Sequence, residues 1–307
     1  MKYIDLSNVD LSLYLHQDEK RKIVPAFLLA NQVKDYFYGP ESEKGAYLPW
    51  AKTRNNIRLR SHEVSIWAGV NGHGKSLLLN QVMLSAMQQG EKVCIASFEM
   101  EMKKTMARMT RQAVGTNQPS DEYIEKFHTW TDDLLWLYDE MNSVNPNTVL
   151  ALLHYCRKEI GIQHFVIDSL MKCGIDEDDY NGQKRFINEI CTTAKAIGLH
   201  IHIVAHSRKR ESEKGIMDKF DIKGSGTITD LVDNVFTIWR NKKKEDDAEK
   251  PIPNQEIQNK PDAIIKCDKQ RHGEWEGMVG LWFDPASLQY RGDDYGRAVS
   301  IFESHNQ

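Results

Sequence analysis

Two hydrophobic periods alternate through the middle of the chain. Short, apolar, β-branched runs occur at 63–68 (EVSIWA), 92–98 (KVCIASF), 134–139, 164–168 (HFVID), 199–205 (LHIHIVA) and 234–240, each of strand length. Between them, 77–87, 100–114, 121–130, 146–159 and 184–197 are long and rich in helix formers. In 100–114, Met102, Met106 and Met109 recur at a spacing of three to four, a stripe that reads as core packing. Alternation of strand and helix from residue 63 to about 206 predicts an α/β fold, a mostly parallel sheet with helices on both faces. Ligands in such sheets bind beyond the carboxyl ends of the strands. Gly69, Glu99, Asp168 and His206 all fall just past such ends, so four chemically able residues are expected along one edge.

The flanks are different. Residues 1–50 read as an N-terminal arm or linker, and 51–307 as the main domain. Within the arm, 23–38 (IVPAFLLANQVKDYFY) places Phe27, Leu28, Val33, Tyr36 and Phe37 at near-helical spacing, with Pro25 suited to a first turn and Gly39-Pro40 ending it. That helix packs either on its own core or on a neighbouring subunit; both stay open. Residues 45–60 read as polar and irregular, and 207–226 as a long polar segment followed by a short helix at 227–233. Residues 241–261 (NKKKEDDAEKPIPNQEIQNKP) are charged, proline-containing and aperiodic, and are expected to form a flexible loop. Late strands at 263–267 and 280–283 suggest a hairpin around His272-Gly273. His200 and His202 alternate with apolar residues and are expected on a polar face rather than in a metal site, and the acidic run 176–179 in a solvated loop.

Composition narrows the class. A chain of 307 residues, 40% hydrophobic and 27% charged, suits one large domain with a small appendage. No apolar run approaches the ~20 residues of a membrane span, and the first residues carry charge throughout, so neither a membrane nor a secretory signal is expected. Five scattered cysteines without C-x-x-C point to reduced thiols in a cytoplasm. The net charge of −4 does not advertise nucleic-acid binding, so any such contact needs local positive charge.

The chemistry centres on 69–76, GVNGHGKS, which fits G-x-x-x-x-G-K-[ST] between a strand and a helix. Gly69, Gly72 and Gly74 permit backbone conformations that turn several N–H groups into one concavity. The following helix aims free amides and its positive dipole end at the same point. Gly69, Asn71, Gly72, His73, Gly74, Lys75, Ser76 and Leu77 are therefore the expected nucleotide-binding stretch, with Lys75 on the β- and γ-phosphates. Ser76 and Asp168, the latter ending an apolar strand, are the expected Mg²⁺ ligands. Glu99 is placed to orient and deprotonate a water, and His206 to bond the γ-phosphate.

Taken together, GVNGHGKS, ASFEM, FVIDSL, IVAHSRK, DIKGSGTITDLVDNVFTIWRN and KCDKQRHGEWEG, in this order across about residues 50–295, resemble the motifs of DnaB-type replicative helicases. The resemblance implies a RecA-like P-loop core and a homo-hexamer that hydrolyses ATP with Mg²⁺ to move on single-stranded DNA. It implies catalytic roles for Lys75, Glu99, Asp168 and His206, with Lys269 and Arg271 as cations reaching a neighbouring subunit's ATP. It also implies DNA contact by Arg208, Lys209, Arg210, Lys223, Gly224, Ser225 and Gly226. Six cations stand against four acids from 208 to 223. Only about 50 residues precede the motor, so a primase domain is not expected here, and a separate primase or helicase loader becomes the expected partner, in a host cytoplasm if the chain is phage-encoded. Two other readings remain: a RecA-like DNA-binding ATPase that does not unwind, and a P-loop kinase, against which Glu99 argues.

Overall fold

The glycine loop opens at the middle of a nine-stranded sheet in the computed structural model, which describes residues 4–15, 23–40, 44–176, 178–207, 215, 222 and 226–303. In chain order the elements begin with α1 (Ala30–Tyr38), β1 (Ala46–Tyr47), β2 (Arg58–Leu59), β3 (Val64–Gly69) and α2 (Lys75–Gln88). There follow β4 (Val93–Ser97), α3 (Met102–Val114), α4 (Asp121–Trp130), β5 (Leu135–Tyr138), α5 (Pro146–Tyr155), β6 (His164–Asp168), α6 (Tyr180–Ile197) and β7 (His200–His206). The last are α7 (Gly226–Leu231), β8 (Asn234–Arg240), α8 (Lys242–Ala248), α9 (Gln255–Gln258), β9 (Ala263–Gln270), β10 (Gly277–Asp284) and β11 (Gln289–Arg291).

The sheet order is β11-β10-β9-β8-β3-β7-β6-β4-β5. From β8 to β5 neighbouring strands are parallel; β9, β10 and β11 continue the sheet antiparallel. β3 is central and buried along its whole length, as its unbroken apolar run requires. Its side chains alternate between two cores. Trp67 stacks on Phe236 at 4.5 Å and meets Leu78, Val82 and Val204 on one face. Ile66 joins Phe165, Ile167, Phe186 and Ile203 on the other. Met109 is fully buried and Met106 packs beside it in the core, whereas Met102, at the start of α3, is half-buried and outside it.

Three expectations are corrected. Residues 241–261 are not an irregular loop. They hold α8 and α9, begun by Asn241 and Asn254, whose side chains accept from Lys244 N and Glu256 N. The buried Asp247 carboxylate ties the two together through Lys250, Gln258 and the Asn254 amide. Residues 45–60 contain β1 and β2, paired antiparallel, with Leu48, Trp50 and Ile57 in the core. His200 and His202 do not lie on a polar face: both are fully buried, stacked on each other at 4.4 Å and beside His164. Asp179, from the acidic run, accepts from Gly182 N and caps α6. Among the described residues no helix is long and apolar enough to cross a membrane.

Candidate functional site

The loop after β3 has the backbone its glycines permit. Gly72 and Gly74 adopt φ of 81° and 83°, the left-handed region, and Gly74 begins α2. A Cβ at Gly74 would also run into the Tyr290 hydroxyl. Lys75 is buried, and its Nζ donates to the carbonyls of Gly69 (3.0 Å) and Val70 (3.1 Å). Burial lowers its pKa, while Asp168 and Glu99 pull it back up. His73 points away from the cleft and is wholly buried; its Nδ1 accepts from the Arg240 amide at 3.4 Å, fastening the loop to β8.

β4 and β6 lie in register, Ser97 opposite Asp168, so the residues that follow each strand emerge side by side. Asp168 is buried, and burial pushes its carboxyl up, partly countered by a hydrogen bond from Ser76. Glu99 stands next to it. The Ser169 hydroxyl donates to Glu99 Oε1 at 2.6 Å, and His206 Nε2 lies 3.5 Å from the same oxygen. His206 first, then Ser169 against the opposing effect of burial, hold the Glu99 pKa down at about 2. Lys75, Ser76, Glu99, Asp168 and His206 thus face one cavity of about 1390 Å³, together with Asn71, Gly72, Gly74 and Leu77.

The opposite wall was not anticipated. Arg240, Glu245, Phe283, Leu288 and Tyr290 line it, with Arg108 from α3. Arg240 donates to Gly72 O at 3.3 Å and pairs with Glu245, which fixes its guanidinium beside the loop. Arg240 ends β8, parallel to β3, so its position at the ligand edge follows from the strand-end rule already applied to Glu99. Phe283 and Tyr290 come from β10 and β11, respectively, where the sequence offers no comparable marker.

Lys269 and Arg271 lie elsewhere. β9 runs antiparallel to β8, with Gln270 opposite Asn234, so both cations sit at the far edge of the sheet. The seven residues of β8 separate them from the cleft by about 20 Å. Lys269 Nζ donates to the carbonyls of Thr229, Asp230 and Val232, and Arg271 to those of Asp230 and Leu231, at the C-terminal end of α7. Arg271 also pairs with the buried Asp233 at 3.1 Å. Arg208, Lys209, Arg210, Lys223, Gly224 and Ser225 lie outside the described residues; Gly226 opens α7.

Residues 57–291 match the family model of the DnaB-like helicase C terminal domain. A curated relative, the DNA helicase/primase of Enterobacteria phage T3, is 24% identical over 247 residues, covering 71% of this chain and 43% of the relative. The chain therefore spans less than half of that protein's length. Among solved structures, an ATPase domain superposes with a TM-score of 0.72 at 14% identity, covering 88% of this chain and 99% of that one. A DnaB-like replicative helicase, solved in a study of its interactions with primase, gives 0.70 at 15%, covering 88% and 68%. Those likenesses establish a RecA-like sheet, and the matched family model spans most of the chain: the protein belongs to the DnaB-like helicase C-terminal domain family.

Proposed function

We propose that the chain is an ATP-hydrolysing helicase motor that assembles as a ring, moves on single-stranded DNA and unwinds duplex. One observation carries this reading. Lys75, Ser76, Glu99, Asp168 and His206 converge on one cleft, while Lys269 and Arg271 sit too far from it to serve their own nucleotide. A site completed by the next subunit reconciles the two facts.

In this cleft the loop amides and Lys75 hold the β- and γ-phosphates, and the aromatic wall with Arg240 receives the base. Ser76 and Asp168 suit Mg²⁺: a hydroxyl and a carboxylate meet there, and a carboxyl made costly to ionise by burial gains most from a cation. When bound, the ion neutralises charge building on the phosphate oxygens. Glu99 takes the proton of the attacking water and His206 bonds the γ-phosphate. Lys269 and Arg271 leave the carbonyls of α7 to reach the neighbour's phosphates. The segment 208–225 supplies the DNA contacts, on the strength of its local excess of cations. The arm supplies an assembly surface: Phe27, Tyr36 and Phe37 are 75%, 72% and 63% exposed, an apolar stripe that a second copy would cover. A separate primase or a loader is the proposed partner.

Single-stranded DNA is expected to stimulate ATP turnover, and a forked substrate to be unwound. Turnover indifferent to DNA would remove the motor, and stimulation without strand separation would leave a DNA-dependent ATPase. Arg271→Ala is expected to reduce hydrolysis by about 10³-fold while sparing nucleotide binding and assembly, because a cation delivered in trans stabilises the transition state. Mixing it with Glu99→Ala subunits should restore some sites, each pairing an intact cleft with an intact Arg271. Inactivity at every mixing ratio would refute delivery in trans.

A further inference from the structure

We propose that Ser169 is a positioning residue for Glu99, holding one carboxylate oxygen so that the other is presented to the attacking water. The inference rests on the reading of the cleft as an ATPase site. It starts from the backbone: the Phe98 amide donates to Asp168 O at 2.8 Å, locking the ends of β4 and β6 together. The next residue of each chain, Glu99 and Ser169, is thereby brought face to face. Ser169 is completely buried, whereas the Glu99 side chain is 42% exposed. A carboxylate that open to water can swing among rotamers; a buried hydroxyl bonded to it at 2.6 Å cannot follow it out. Such O–H···O⁻ bonds are the short, strong class, and the buried Ser169 hydroxyl has no bulk water to turn to instead.

Both donors, Ser169 Oγ and His206 Nε2, approach Oε1. Among the described residues Oε2 has no donor, and it belongs to a carboxylate that lines the cleft and is open to solvent. His206 is the donor with another duty, since a γ-phosphate would draw it away. Ser169 has none, and so it alone keeps Glu99 in place when nucleotide is bound. Proximity and orientation are steep: a reacting group displaced by about 1 Å can lose 10²-fold.

The test is single-turnover hydrolysis of ATP by the full chain with single-stranded DNA, comparing wild type, Ser169→Cys and Ser169→Ala. Nucleotide affinity and thermal melting are measured on the same preparations. Ser169→Ala is expected to slow the hydrolysis step about tenfold. Ser169→Cys, similar in size but a weak donor, should fall between it and wild type, with affinity within about twofold throughout. A Ser169→Ala protein that hydrolyses at the wild-type rate, or that loses affinity rather than rate, overturns the assignment. A wild-type protein that never turns over ATP instead removes the reading of the cleft.

Discussion

Lys75→Ala is expected to lower ATP turnover by about 10³-fold or more, with the fold intact. Lys75 is the one cation held inside the loop. Its Nζ is kept by Gly69 O and Val70 O at a point where Asp168 and Glu99 both favour its charge. Burial alone lowers its pKa, so without nucleotide it is a charge kept in a poor solvent. A triphosphate supplies the anion that the site lacks, and the two gain mutually. Alanine removes a full charge from a preorganised, water-poor site, where removing even one neutral donor costs about 10²–10³-fold. Of the two carbonyls it leaves behind, Gly69 O also accepts from the Ser207 amide at 3.3 Å, and the Val70 carbonyl is only partly buried. Melting should therefore shift little, which separates this variant from a folding defect. Steady-state phosphate release checks it: turnover within tenfold of wild type would remove the phosphate assignment from 69–76. Glu99→Gln differs in kind, because it keeps the loop and its charge. It should retain nucleotide while losing hydrolysis.

What could be read from the chain follows the range of the forces involved. The loop of 69–76 is local: three glycines, a lysine and a serine carry their own backbone geometry and charge, and the neighbouring strand and helix are strongly patterned. Glu99, Asp168 and His206 were legible because parallel strands bring their carboxyl ends to one edge, which turns chain position into spatial position. Ser169 was missed although it adjoins Asp168, since its role depends on the cross-strand register and not on its own flanks. Tyr290 closes on Gly74 from an antiparallel strand of three residues, too short to show a period. The helices α8 and α9 were hidden by their charge. Their capping residues, Asn241 and Asn254, were visible, and an asparagine before a run of helix formers is itself a start signal. His200 and His202 depart from the expectation because polarity does not require exposure. Here each ring is satisfied inside the sheet.

That burial makes the domain sensitive to acid. His200 bonds Ser65 Oγ at 2.8 Å and the Arg60 carbonyl; His202 accepts from Trp67 Nε1 at 3.1 Å and contacts His164 at 3.0 Å. Burial drives His164 and His202 well below the usual histidine pKa, and His200 down to about 4. Above about pH 6.5 these rings are neutral both folded and unfolded, and their bonds contribute fully. As pH falls from 6.5 toward 4, the unfolded chain takes up protons that the folded chain refuses, so stability falls by about 1.4 kcal/mol per pH unit for each ring. The carboxyls of Glu63, Glu91 and Asp168 work in the other direction: burial raises each, the folded state keeps protons there, and part of the histidine effect is offset. The histidine effect begins near pH 6.5, above the ordinary carboxylate range, so it leads as the pH falls from neutral. Glu99, held near 2, adds nothing until the pH is below about 4.5. Denaturant titrations between pH 7.5 and 5 should show the free energy of unfolding falling steadily on the acid side of 6.5. His164→Phe, which removes one titrating ring from the stack, should flatten that slope by about one proton. A free energy that stays level down to pH 5 would mean that the stack takes up its protons without unfolding.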